Sequence, residues 1–133
     1  MREILFRGKR IDGGEWVEGH YHFSNWYLPP SMEIVDTTHY ILQIGNGDAD
    51  KIDPQTVCQY CGLADKNAKK IFEGDIIKNE YEENKYQYFK VFYNEKKLQW
   101  EVMNKYGMRG ILANVIGKME VIGNIFDNPD LLR

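Results

Sequence analysis

The chain has 133 residues, of which 43% are apolar, 28% charged and 14% aromatic, and it carries a formal charge of −3. A chain of this length buries enough surface to fold as one domain, or as two small subdomains, without staples, and two cysteines are too few for a disulfide framework. The acidic balance, with a pI of about 5.6, argues against general phosphate binding, and no apolar run approaches the roughly 20 residues that cross a membrane as a helix.

Met1 leads into charged and short apolar residues rather than a secretory apolar region, so the sequence predicts a cytoplasmic protein with no membrane role. Nine Tyr, six Phe and three Trp lean toward β structure, because aromatic side chains suit a pleated, half-buried surface.

Residues 3–7 read as a first strand, and Asp12-Gly13-Gly14 is a turn signal. Residues 15–23 follow as a second strand. Its alternation puts Val17, Tyr21 and Phe23 on one face and Trp16, Glu18, His20 and His22 on the other. Pro29-Pro30 marks a loop over 24–33, since proline cannot donate to a ladder. Further strands are expected over 37–44, 55–60 and 75–78, separated by a polar loop from Gly45 to Pro54 and a polar turn over 65–70. Residues 86–93 give the strongest strand pattern. Phe89, Val91 and Tyr93 share one side and Tyr88 and Phe92 the other, so one side calls for a partner. Residues 94–97 form a turn, 98–102 alternate as a half-buried strand, 103–110 are loop, 111–116 form a short helix and 119–125 a closing strand. The fold expected is all-β with little helix, a small antiparallel barrel or sandwich. Its domain span is 1–133, with two intertwined β subdomains as the finer option.

The motifs that could carry chemistry are incomplete. Cys58-x-x-Cys61 has metal spacing, but structural zinc takes four ligands and no second cysteine pair exists. A redox pair would open a helix, whereas this one ends a strand at Gly62, so buried, inert thiols are the better reading. His20 and His22 point to one side of a strand with Cα atoms about 6.7 Å apart. They lack a third ligand unless folding brings His39 or a carboxylate near. Asn46-x-Asp48-x-Asp50 fails as a calcium loop because Lys51 stands where Gly is needed and Val57 where Glu is needed. Gly45-x-Gly47 lacks a third glycine, and neither Ser24 nor Ser31 sits in a nucleophile elbow. No nucleophile, base and orienting group assemble, so the reading is non-enzymatic, with no catalytic residues, no metal and no cofactor.

Two surface hypotheses remain. Tyr86, Tyr88 and Phe92 are interface candidates for self-association as a homo-oligomer. The alternative is nucleic-acid binding through Arg7, Lys9, Arg10 and Trp16, since small β domains bind strands with basic edges and stacked aromatics. A metal-dependent enzyme built on His20 and His22 is the third reading.

The stretch "TVCQYCGLADKNAKKIFEGDIIKN", together with "ILFRGKR", "GEWVEGHY" and the closing "EVIGNIFDNPDLL", resembles the YopX family of prophage- and bacteriophage-encoded proteins, with the three blocks in order along nearly the whole chain. The resemblance implies an all-β fold containing an SH3-like barrel plus an extra β subdomain. It brings no catalytic residues. Family members commonly carry Gly and Thr where this chain has Cys58 and Cys61, which makes the pair a variant in a packing position. They also favour Gly at the position of Ala68, so the resemblance implies a different turn type at Asn67-Ala68.

Overall fold

The computed structural model describes residues 2–79 and 87–133, and the chain divides into two compact units, Met1–Gln59 and Tyr60–Arg133.

The first unit is an antiparallel sheet of β1 (Phe6–Lys9), β2 (Trp16–Leu28), β3 (Glu33–Gln43), β4 (Ala49–Lys51) and the start of β5 (Cys58–Ala64), in the order β4-β3-β2-β1-β5. The turn between β1 and β2 closes with Arg10 N–H donating to the Glu15 carbonyl at 2.9 Å. Gly13 and Gly14 take φ of 93° and 76° there, a region an L side chain rarely enters. The ladder runs from Gly19↔Gln43 to Leu28↔Glu33 with one bulge near Trp26 and Tyr27. Gly19 is required: a Cβ there would stand 2.0 Å from the Leu42 carbonyl oxygen. Ile41 and Ile52 are fully buried. The 3₁₀ turn Pro54–Thr56 is tied to β1, because Lys9 N–H donates to Thr56 Oγ1 at 2.8 Å and Asp53 N–H to the Lys9 carbonyl at 2.8 Å.

In the second unit the later part of β5 pairs with β6 (Lys70–Phe72). A five-stranded antiparallel sheet follows, built from β7 (Asp75–Asn79), β8 (Tyr88–Asn94), β9 (Gln99–Met103), β10 (Arg109–Ile111) and β11 (Met119–Asn124), in the order β10-β9-β8-β7-β11. The helix α1 (Leu112–Val115) and the 3₁₀ turn Ile116–Lys118 cover one face. There Ile71, Ile77, Val91, Val102, Leu112, Ile116 and Met119 form a buried cluster, with Phe89 and Trp100 against it. The alternation expected of β8 and β9 is therefore observed, with Val91 and Val102 inward and directly paired.

The all-β expectation holds, and the short helix near 111–116 is present. The SH3-like barrel is corrected: neither sheet closes on itself among the described strands. The reason is visible at the two edges of the second sheet. β10 has only three residues with which to pair further. The outer edge of β11 is capped by a loop, through Lys66 N–H to the Met119 carbonyl at 3.3 Å and Val121 N–H to Asp65 Oδ2 at 2.8 Å. The expected loop over 24–33 is also corrected, since β2 continues to Leu28 and β3 begins at Glu33. The strand ends at Pro29-Pro30 rather than at Phe23, and the residues before the prolines satisfy their backbone by pairing with β3. Arg109 and Gly110, expected as loop, and Ile111, expected to open the helix, form the short strand β10. No helix among the described residues is long and apolar enough to cross a membrane.

Candidate interaction surface

Beyond Gly19, β2 pairs only with β3, because β1 reaches no further than that residue. On the other side β4 covers only Tyr40, Ile41 and Leu42 of β3. Ile52 N–H extends this cover to the His39 carbonyl at 3.0 Å, so residues 24–28 and 33–38 form a two-stranded ribbon with no further strand on either edge among the described residues. Internal bonds hold it in register: Trp26 Nε1–H donates to Thr38 Oγ1 at 2.8 Å and the Thr37 hydroxyl to Asn25 Oδ1 at 2.9 Å. Nearer the base, the Tyr21 and His39 rings stack with centroids 5.8 Å apart, and Phe6 and Phe23 lie against Tyr21 at 5.9 and 6.4 Å.

The ribbon keeps its apolar side chains in solvent. Phe23, Trp26, Tyr27, Leu28, Met32, Ile34 and Val35 are each 49–60% exposed. Alternation distributes them over both faces, so no single turn of the ribbon could hide them all. At the tip Met32 takes φ of 57°, a left-handed conformation uncommon outside glycine. Seven half-exposed side chains of this size present roughly 700 Å² of apolar area, close to the ~800 Å² that each partner contributes to a standard interface.

Two of the three interface candidates expected from sequence lie on β8. Tyr88 and Phe92 are half-buried on the face of β8 opposite the core cluster, with the Arg109 guanidinium 5.6 Å from the Phe92 ring; Tyr86 lies outside the described residues. The basic group is brought together in part. Arg7 and Lys9 flank the Trp16 ring at 4.7 and 5.4 Å. Arg7 is itself buried, and Arg10 is held by Asp50 at 3.4 Å and Glu15 at 3.9 Å. Sequence reasoning missed the ribbon tip because Pro29-Pro30 masks it. The usable signal was the aromatic pair Trp26-Tyr27 mirrored by Ile34-Val35 about a two-proline turn.

The histidines do not converge. His20 and His22 share one face of β2 and pair with Leu42 and Tyr40, while His39 pairs with Phe23 on the other face and bonds to the Tyr21 hydroxyl. No group of three or more His, Cys, Asp or Glu that could hold a metal is found among the described residues. Cys58 is buried and Cys61 half-buried, both as free thiols. Burial is the main influence on Cys61 and pushes its pKa up, helped by the charge of Asp75, against opposing backbone bonds from Leu63 and Cys61 itself. A raised pKa leaves little thiolate at neutral pH.

The stretch around the cysteines organises the backbone. Asp65 accepts from Asn67 N–H at 2.8 Å and Lys69 N–H at 3.0 Å on one oxygen, and from Val121 N–H on the other. Burial would raise its pKa, but those three donors and the charge of Lys69 outweigh burial and hold the carboxyl below its ordinary value. Asp75, fully buried, accepts from Phe72 N–H at 2.8 Å across the corner at Gly74, whose φ is 82°. Ala68 takes the left-handed region with φ of 64°, the conformation that alanine was expected to avoid. Glu101 is held below its usual pKa first by the Gln99 amide, with Asn94 and the charges of Lys97 and Arg109 adding to it against burial. Each of these acids accepts hydrogen bonds that hold the surrounding backbone or side chains in place.

No curated protein matches the chain. The crystal structure of protein EF1440 from Enterococcus faecalis matches with a TM-score of 0.55 at 21% identity, covering 100% of each chain, a likeness of fold alone. The model of the YopX protein family matches residues 5–133, which contains the loop built on Asp65 and the corner at Asp75; the chain belongs to the YopX family.

Proposed function

We propose that this protein is a non-catalytic contact protein that self-associates through the β2–β3 ribbon. The observation that carries the reading is the run of seven half-exposed apolar side chains on a ribbon with no further strand on either edge among the described residues. An isolated two-stranded hairpin is marginal in water, and a patch of this area favours cover by another surface. The occupant we assign is a second copy of the chain. The exposed area suits one side of a protein interface. The ribbon tip carries Glu33 and Asp36 and no Lys or Arg between His20 and Gln43, which disfavours a polyanion as the occupant.

Sedimentation at micromolar concentration should show an oligomer for the native chain and a folded monomer for the double variant Trp26→Ser, Ile34→Ser. A native chain that sediments only as a monomer would overturn self-association, and a double variant that still assembles would remove the ribbon as the contact. The nucleic-acid reading rests on Lys9 and the edge of Trp16, since Arg7 is buried and Arg10 is paired with acids. Salt-sensitive binding of single strands, weakened by Lys9→Ala, would restore it.

A further inference from the structure

In the second unit, Lys90 of β8 and Met103 of β9 lie directly opposite each other on the sheet face away from the core cluster. The 3₁₀ turn Pro129–Leu132 packs against β8. Here a cavity of about 370 Å³ is lined by Lys90, Met103, Asn104, Lys105, Gly107 and Leu132. Its size falls in the range of small-molecule sites. Its polar side chains are unusual in kind: Lys90, Asn104 and Lys105 bring N–H donors, and no carboxylate is among the lining residues.

Asn104 is the most informative of these. It is 4% exposed. Its Oδ1 accepts from Tyr106 N–H at 3.0 Å and Met108 N–H at 2.9 Å, which fixes the orientation of the amide. Nδ2 is consequently turned away from the loop it caps, and it has no hydrogen-bond partner among the described residues. A buried amide donor without an acceptor is costly, and native structures rarely leave one unmet. Lys105 is among the lining residues, and its Nζ donates to the Arg133 main-chain oxygen at 3.0 Å and lies 5.2 Å from the Tyr106 ring centroid. Lys90 has no ion pair among the described residues.

We propose that this cavity binds a small organic oxyanion, a carboxylate or phosphate on a short apolar stem. The two ammonium groups balance the charge, a small rotation of the Asn104 side chain presents its unpartnered N–H to an oxygen, and Met103 and Leu132 receive the stem. Lysines and an amide fit a single oxygen cluster without the planar fork that arginine would supply, so the site is set by charge and size.

The test uses the full chain, with sodium butyrate and inorganic phosphate as separate probes at constant ionic strength, read by the NMR shifts of the Asn104 side-chain amide and the Gly107 N–H. Saturable shifts with at least one probe, weakened about tenfold in Lys90→Gln, are expected. A tighter response to butyrate assigns a carboxylate, and a tighter response to phosphate a phosphoryl group. Linear, non-saturating shifts with both probes overturn the proposal. So does a response unchanged in both Lys90→Gln and Lys105→Gln, substitutions of half-buried and exposed positions that leave the core untouched.

Discussion

The β2–β3 ribbon and the sheet of the second unit are both made of alternating apolar strands, yet they end differently. In the second unit Val91 and Val102 oppose each other across β8 and β9 and point into a cluster closed by Leu112 and Ile116. In the ribbon, Phe23 and Trp26 alternate in the same way, but no helix or second layer of the first unit covers either face, and both stay about half exposed. Alternation specifies which residues share a face; a covering element decides whether that face is core. Where the same pattern lacks a cover within its own unit, the apolar area is available to another molecule.

The comparison breaks most sharply under truncation. Ile77 is fully buried in the cluster, so Ile77→Ala should remove the transfer energy of the lost atoms and leave a cavity, at a cost of about 2–5 kcal/mol. The equally apolar Ile34, 57% exposed, should change monomer stability by no more than about 0.5 kcal/mol when replaced by Ser. Urea unfolding of both variants in a monomeric background checks this. Comparable losses at the two positions would mean that the ribbon is packed within its own chain.

A second contrast concerns charge. Asp65 joins a loop to β11 with its carboxylate, while Asp36 on the ribbon bonds only to the neighbouring Thr37 N–H. The Asp65 pKa lies below its ordinary value in the folded chain, so the carboxylate contributes stability above the unfolded value, and that contribution is lost as pH falls through the folded one. Asp65→Asn keeps the shape but turns an N–H toward either Val121 N–H or the turn amides, which should cost about 1–3 kcal/mol near neutral pH. It should also flatten the acid limb of the stability profile. Asp36→Asn should do neither. Thermal melts from pH 7 down to 3 measure both, and an acid limb unchanged in Asp65→Asn would remove the assigned role.

Much of the second unit was legible because its signals are local. Asn94 to Lys97 mark a turn, Trp100 and Val102 share the inward face, and the run before Pro129 closes the sheet; Leu98, expected to open that strand, instead stays in the turn with φ of 53° and 75% exposed. That the two cysteines lie in a strand rather than at a helix start was legible too, although β5 begins at Cys58 and runs through Gly62 to Ala64 instead of ending there. The ribbon was not legible. Pro29-Pro30 correctly ends β2, but a proline turn says nothing about how far the strands on either side remain paired, and that depends on cross-strand partners distant in sequence. Nor does the pattern say what Tyr88 and Phe92 face, because a strand apolar on both faces looks the same whether its second face meets solvent, another copy or, as at Phe92, an arginine of its own sheet. The cavity near Lys90 is assembled from β8, β9, a loop and the closing turn, so no spacing along the chain announces it.

The smallest expected effect concerns a position where the sequence conflicts with its own backbone. Ala68 is exposed and takes φ of 64°, while its N–H donates to the Asp65 carbonyl at 2.9 Å. A left-handed backbone costs an L residue about 1–2 kcal/mol, whereas glycine adopts it without steric penalty but loses more chain entropy on folding. Since the side chain makes no buried contact to lose, Ala68→Gly should stabilise the protein by about 0.5–1 kcal/mol. The same substitution at Ala113, within α1, should destabilise by a similar amount because the backbone there is helical. Opposite signs at the two alanines, read from urea midpoints with unchanged slopes, would show that the turn at Asn67-Ala68 is dictated by Asp65 and its bonds to Asn67, Lys69 and Val121 rather than by the residue that occupies it. Equal destabilisation at both would mean that the turn relaxes out of the left-handed region in solution.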